Sequence, residues 1–88
     1  MRSATLTVRQ KVGLHARPAA MFVQQAMKHK CRITIESSGR KADAKSILQV
    51  LALGVKCGQD VTIIAEGPEE DVALERLVTL MMDMEEKS

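Results

Sequence analysis

Residues 13–20, GLHARPAA, separate two kinds of hydrophobic periodicity. Before this stretch, residues 4–8 (ATLTV) alternate threonine with apolar side chains, the period of a half-buried strand with Leu6 and Val8 inward. After it, apolar residues recur at helical spacing, and Pro18 falls in the first turn, where its missing N–H costs nothing. The stretch therefore predicts a junction between a strand and a helix.

The helical patterns divide the rest of the chain. The first helix is predicted over residues 16–28, and a second begins at Ser46 and ends at Gly54. A third helix follows residues 67–71 (GPEED), since acidic side chains suit the positive end of a helix. The predicted buried face of the first helix comprises Ala19, Phe22, Val23 and Ala26. That of the third helix comprises Leu74, Leu77, Val78 and Met81.

Three strand patterns lie between these helices, at residues 32–36, 41–44 and 60–66. The turn SSGR joins the first two as a hairpin at Gly39. The order β-α-β-β-α-β-α predicts an α+β fold, one mainly antiparallel four-stranded sheet with three helices on one face. The other sheet face is expected in solvent, carrying Thr5, Thr7, Thr34 and Thr62.

Composition limits the classes of function. With 88 residues, the chain is expected to form a single domain over residues 1–88. A net charge of +2 and 1% aromatic residues argue against a nucleic-acid binder. Cys31 and Cys57 stand far apart with no histidine cluster, so we expect no metal, no cofactor and a reducing, cytoplasmic compartment. We also expect no signal peptide and no membrane association.

His15 is the residue best placed for chemistry, because it stands at the entrance of the first helix. The N-terminus of a helix attracts anions, and Arg17 adds a forked cation suited to phosphate oxygens. A neutral imidazole has one nitrogen available as a nucleophile, so His15 can be a phosphoryl attachment point. The alternative is a surface histidine that caps the helix. His29, at the polar end of that helix, is expected to be solvated and inactive.

GLHARPAA, together with AKSI at residues 44–47, resembles the phosphorylation-site region of HPr, the histidine-containing phosphocarrier of the phosphoenolpyruvate-dependent sugar phosphotransferase system. The resemblance extends over essentially the whole chain and implies an open-faced β-sandwich. It implies that His15 accepts a phosphoryl group from enzyme I on Nδ1 and donates it to the IIA domains of sugar permeases. Arg17 would stabilise that group, and the chain would be a carrier and not a stand-alone enzyme.

Ser46 has two compatible interpretations. Its position predicts an N-cap for the second helix. The resemblance adds that Ser46 matches a serine phosphorylated by HPr kinase/phosphorylase in many Gram-positive bacteria, which would connect the chain to a transcriptional regulator. The negative charge of a phosphate on Ser46 would repel acidic docking surfaces and attract basic ones.

A docking surface is also expected, because the second helix carries apolar residues on every face and one sheet cannot cover them all. By resemblance its contacts are Ala16, Ala20, Met21, Ile47, Leu48 and Leu51, whereas Val50 and Leu53 are expected in the core. Acidic partners would be attracted by the basic residues around this surface, which are Arg17, Lys28, Lys41 and Lys45. The carrier is expected to be a monomer.

Two positions depart from the family pattern. Val12 stands where many members have asparagine, and Gln49 where many kinase-regulated members have glycine. A group of purely regulatory paralogues lacks the histidine, so His15 disfavours it. The alternative function is a regulatory binding module that acts through Ser46 and the apolar patch, with His15 incidental.

Overall fold

The computed structural model describes residues 1–9 and 13–87. The elements are β1 (Arg2–Thr7), α1 (Ala16–Met27), β2 (Arg32–Ser37), β3 (Arg40–Asp43), α2 (Ile47–Ala52), β4 (Asp60–Glu66) and α3 (Glu70–Lys87). This order and the α+β class confirm the prediction. Val12 lies outside the described residues, so the structure does not address its departure from the family pattern.

The four strands form one antiparallel sheet in the order β1-β4-β2-β3. β4 lies between β1 and β2, although it is the last strand in the chain. The register sets Ile35 of β2 beside Ile63 of β4 and Ala42 of β3. These three side chains are buried and continue one apolar row across the sheet.

The predicted threonine face is present on the opposite side of the sheet. Thr5 and Thr62 are cross-strand partners whose Oγ1 atoms lie 2.9 Å apart, and Thr7 donates to Asp60 at 2.6 Å. Paired hydroxyls suit a solvated sheet surface, since each satisfies the polar atom opposite.

The core lies between the sheet and the helices. All four apolar residues predicted for the buried stripe of α1 are buried, and Phe22 is fully so. The prediction for α3 needs correction, because Leu74 and Val78 are only partly buried whereas Ala73 and Met84 are buried. The side chains that face the core are those of Ala73, Leu77, Met81 and Met84. The helix α3 is therefore turned about its own axis, relative to the orientation that would bury most of its leucine and valine residues.

The hairpin between β2 and β3 turns at Ser38 and Gly39, as predicted. Both residues have positive φ, 53° and 78°, which is the geometry of a two-residue type I′ turn. Ser37, just before the turn, is buried and donates its hydroxyl to the carbonyl of Asp60 at 2.9 Å. The hydroxyl therefore joins the end of β2 to the start of β4.

Candidate functional site

His15 occupies the N-cap position of α1 with an extended backbone. Its carbonyl accepts the N–H of Ala19 at 3.0 Å, and its own N–H donates to the carbonyl of Gly13 at 3.0 Å. The imidazole is exposed and makes no capping hydrogen bond. The backbone of His15 therefore begins the helix, and the ring remains available for other chemistry.

Two backbone amides beside His15 are open to an anion. Pro18 has no N–H, and the N–H of Ala19 is already bonded within the helix. The N–H groups of Ala16 and Arg17 have no acceptor among residues 1–9 and 13–87, as expected for a first helical turn. At the start of α1, Ala16 and Arg17 are therefore the residues whose amides can bind an anion.

Charge around His15 is positive. Arg17 is exposed and forms no ion pair with any described residue, and the first turn of α1 contains no acidic side chain. A guanidinium that is not already bound to a carboxylate can receive a phosphate. The site combines a ring nitrogen, a guanidinium and two amides at one helix end.

Gly13 supports the segment that leads to His15. Its φ is +72°, and a Cβ built on it overlaps the carbonyl oxygen of Val55 and comes within 2.7 Å of Cα of Lys56. The N–H of Leu14 donates to the same carbonyl of Val55 at 2.9 Å. This contact with the loop before β4 was missed from the sequence. The glycine itself was the signal in the sequence, and a glycine does not identify its packing partner.

Ser46 is the N-cap of α2, as predicted. Its hydroxyl accepts the N–H of Gln49 at 3.4 Å. Gln49 in turn accepts the N–H of Asp43 through Oε1 at 2.9 Å, which joins α2 to the end of β3. Gly54 has a φ of +61° and follows the C-cap residue Leu53, so the predicted end of the helix is also confirmed.

His29 differs from the expectation of a solvated side chain. It is half-buried, and its Nε2 lies 3.1 Å from Nε2 of Gln25. Its carbonyl accepts Nζ of Lys45 at 2.6 Å. Lys45 was predicted to steer partners, but it is half-buried and its ammonium is bonded to the segment just after α1, so it is a weaker candidate for that role.

The predicted docking patch is only partly exposed. Exposed fractions are 38% for Met21, 78% for Leu48 and 37% for Leu51, whereas Ile47 packs partly buried against the core. Ala16 is exposed and Ala20 half-buried. α1 and α2 contact each other, so these side chains belong to neighbouring helices. Val50 and Leu53 are buried, as expected.

No group of three potential metal-ligating side chains occurs in the described part of the chain. Cys31 is buried and Cys57 exposed, and both are free thiols. None of the helices in the described residues has the length and apolar character to cross a bilayer.

Comparison with known proteins decides the family. A family model described as the PTS HPr component phosphorylation site matches residues 2–83. The chain belongs to the HPr family. The family is that of the phosphotransferase-system phosphocarriers.

Two kinds of relative occur within this family. The HPr-like protein Crh of Bacillus subtilis is 45% identical over 76 residues, covering 86% of this chain and 89% of Crh. The phosphocarrier protein HPr of Vibrio cholerae is 49% identical over 69 residues, covering 78% of this chain and 81% of that protein. Family membership therefore establishes an HPr-type protein but does not choose between these two.

Solved HPr structures confirm the open-faced sandwich. HPr-C-His of Thermoanaerobacter tengcongensis superimposes with a TM-score of 0.94 at 41% identity, covering 100% of this chain and 99% of that one. An HPr dimer from the same organism gives a TM-score of 0.77 at 43% identity, covering 96% and 97% of the two chains. Because at least one solved HPr protein is described as a dimer, the monomer stays a prediction for this chain.

Proposed function

We propose that this chain is a phosphocarrier that accepts a phosphoryl group on His15 from enzyme I and donates it to the IIA domains of sugar permeases. Phosphoenolpyruvate is the original phosphoryl source. The observation that carries the proposal is the exposed imidazole at the start of α1, which makes no capping bond, beside Arg17 and two open amides. An imidazole that merely capped the helix would accept a first-turn N–H.

The transfer needs little from the protein beyond position and charge. The Nδ1 lone pair of a neutral His15 attacks phosphorus, and the P–N bond forms as the bond between phosphorus and the enzyme I donor atom breaks. The bonding electron pair leaves with that donor atom. The incoming phosphoryl oxygens face the N–H groups of Ala16 and Arg17 and the Arg17 guanidinium, all of which stabilise negative charge.

This arrangement supports a carrier that has no turnover of its own. The proposed site holds one nucleophile with its charge partners, and the second half-reaction requires an acceptor from another protein. The exposed apolar side chains of Met21, Leu48 and Leu51 offer such proteins a contact surface next to α1. We assign this activity to a monomer in the cytoplasm, where enzyme I and the IIA domains meet.

A second candidate is a regulatory binding module that acts through Ser46. It is favoured by the 45% identity to Crh, and a solved Crh is described as a catabolite repression protein. A phosphate on Ser46 would lie at the N-terminus of α2, where the helix dipole accepts negative charge. HPr kinase/phosphorylase and a transcriptional regulator would then be its partners.

Labelling with phosphoenolpyruvate and enzyme I distinguishes these functions. The wild-type chain should acquire acid-labile, alkali-stable phosphate, His15→Ala should acquire none, and His29→Gln is the matched control that should label normally. If a genuine HPr labels under the same conditions and this chain does not, the carrier function is wrong. ATP-dependent, acid-stable labelling lost in Ser46→Ala would then support the regulatory module.

A further inference from the structure

The loop between α2 and β4 contains a turn that is closed on itself. The N–H of Lys56 donates to Oε1 of Gln59 at 2.7 Å, and the N–H of Gln59 donates back to the carbonyl of Lys56 at 3.1 Å. The chain after β1 holds the far side of this turn, because Val8 exchanges backbone hydrogen bonds with Gly58 and Gln59 at 2.8 and 2.9 Å. The turn therefore has a fixed backbone, although Lys56 itself is exposed.

The near side of the same turn lies against the segment that carries His15. Cα of Lys56 lies 2.7 Å from a Cβ built on Gly13, and Gly13 is two residues before His15. The bond from Leu14 to the carbonyl of Val55 holds this contact together. Lys56 is thus attached to the His15 site by backbone packing, although it is 41 positions away in sequence.

The charge of Lys56 is uncompensated. It forms no ion pair within the described residues, where the two ion pairs involve Met1 and Arg2 with α3. The acidic side chain nearest in sequence is Asp60, which accepts the hydroxyl of Thr7 and forms no ion pair with Lys56. Arg17 and Lys56 are both exposed and without an ion-pair partner among the described residues, and such a pair of cations fits a partner surface rich in carboxylates.

We propose that Lys56, held in place by Gln59, is a second cation of the His15 site and contacts the acidic surface of the protein that donates the phosphoryl group. This inference rests on the proposed carrier function. Arg17 receives the phosphoryl group, whereas Lys56 binds the partner. Gln59 is a positioning residue, because it acts through the backbone of Lys56.

Kinetics of transfer from phosphorylated enzyme I test the role of Lys56. Because an exposed ammonium acts through a screened attraction, Lys56→Gln should raise KM about twofold to threefold and Lys56→Glu about threefold to tenfold at low salt. The kcat should not change, since Lys56 does not touch the reacting atoms. High salt should reduce the differences between the variants and the wild type.

Lys30 provides the matched control. It is also an exposed lysine, but it lies beyond the C-terminal end of α1, whereas His15 is at the N-terminal end. The two ends of a helix of 12 residues are about 18 Å apart. Lys30→Gln and Lys30→Glu should leave KM near the wild-type value. Equal changes in KM for the Lys56 and Lys30 substitutions would show that only net charge matters and would overturn the proposal.

Gln59→Ala tests the positioning role. It removes the acceptor for the Lys56 N–H, so KM should rise while kcat stays constant. Adding Lys56→Gln to this variant should have a smaller effect than in the wild type, because the two residues act together. Full additivity would overturn the role of Gln59. A wild-type chain that takes no phosphoryl group would instead reject the carrier function, and this inference with it.

Discussion

Replacing Gly13 by alanine tests the support of the His15 segment. The left-handed backbone of Gly13 costs an L-residue about 1–2 kcal/mol. The new Cβ also overlaps the carbonyl oxygen of Val55, and moving packed backbone costs about 1–3 kcal/mol more. Alanine regains about 0.4–1 kcal/mol by restricting the unfolded chain, so the expected net loss is about 1–4.5 kcal/mol.

The substitution Gly54→Ala separates the cost of backbone strain from the cost of steric overlap. Gly54 has a similar φ of +61°, but a Cβ built there meets no atom within 4 Å. Its substitution should therefore cost only about 0–1.5 kcal/mol, from backbone strain less the entropic gain.

Urea unfolding followed by circular dichroism measures both losses. For a domain of 88 residues the total stability is roughly 4–13 kcal/mol, and a urea slope near 1 kcal/mol/M turns the Gly13 loss into a midpoint shift of about 1–4.5 M. Gly54→Ala should shift the midpoint by about 1.5 M or less. Equal shifts for the two variants would refute the contact between Gly13 and the loop of Val55 and Lys56.

Four further substitutions have defined outcomes. Ser46→Ala removes the N-cap of α2 and should lower the unfolding free energy by about 1 kcal/mol, whereas Ser46→Asp should retain most of it; an unchanged urea midpoint in the alanine variant would contradict the cap. Glu69 has a φ of +59° at the third position of a turn with Pro68, so Glu69→Gly should stabilise by about 1 kcal/mol, and calorimetry showing a lower Tm would argue against that geometry. The amino group of Met1 lies 2.9 Å from Glu70 Oε2. The hydrogen bond that this ammonium donates to the carboxylate raises the pKa of the amino group and lowers the pKa of Glu70. Stability from the pair is therefore complete between the ordinary values of 4.5 and 8.0, falls below pH 4.5 as Glu70 protonates, and falls above pH 8.0 as the amino group loses its proton. Unfolding of Glu70→Gln across pH should differ most from the wild type inside that window, and a constant difference at all pH values would rule out the pair.

The parts of the fold that depend on local pattern could be predicted. The stripe of α1, the hairpin at Gly39 and the cap at Ser46 each follow from residues close together in sequence. Each depends on a periodicity or a turn preference that acts over a few positions, so one sequence suffices.

Features that join distant segments could not be predicted in this way. The sheet order places β4 between β1 and β2, and Gly13 meets Val55 across 42 positions of the chain. Lys45 illustrates the same limit, because its basic side chain suggested a free surface charge. In the structure its ammonium instead donates a hydrogen bond to the carbonyl of His29. Tertiary packing decides such contacts, and no local pattern encodes them.

Nuclear magnetic resonance of the phosphorylated protein tests the central claim most directly. After incubation with phosphoenolpyruvate and enzyme I, a ¹⁵N-histidine-labelled chain should show phosphorus coupled to Nδ1 of His15, with the ring of His29 unchanged. The phosphorus signal should disappear on mild acid treatment. Phosphorus attached to any other residue, or no coupled signal when a genuine HPr gives one, would contradict the account.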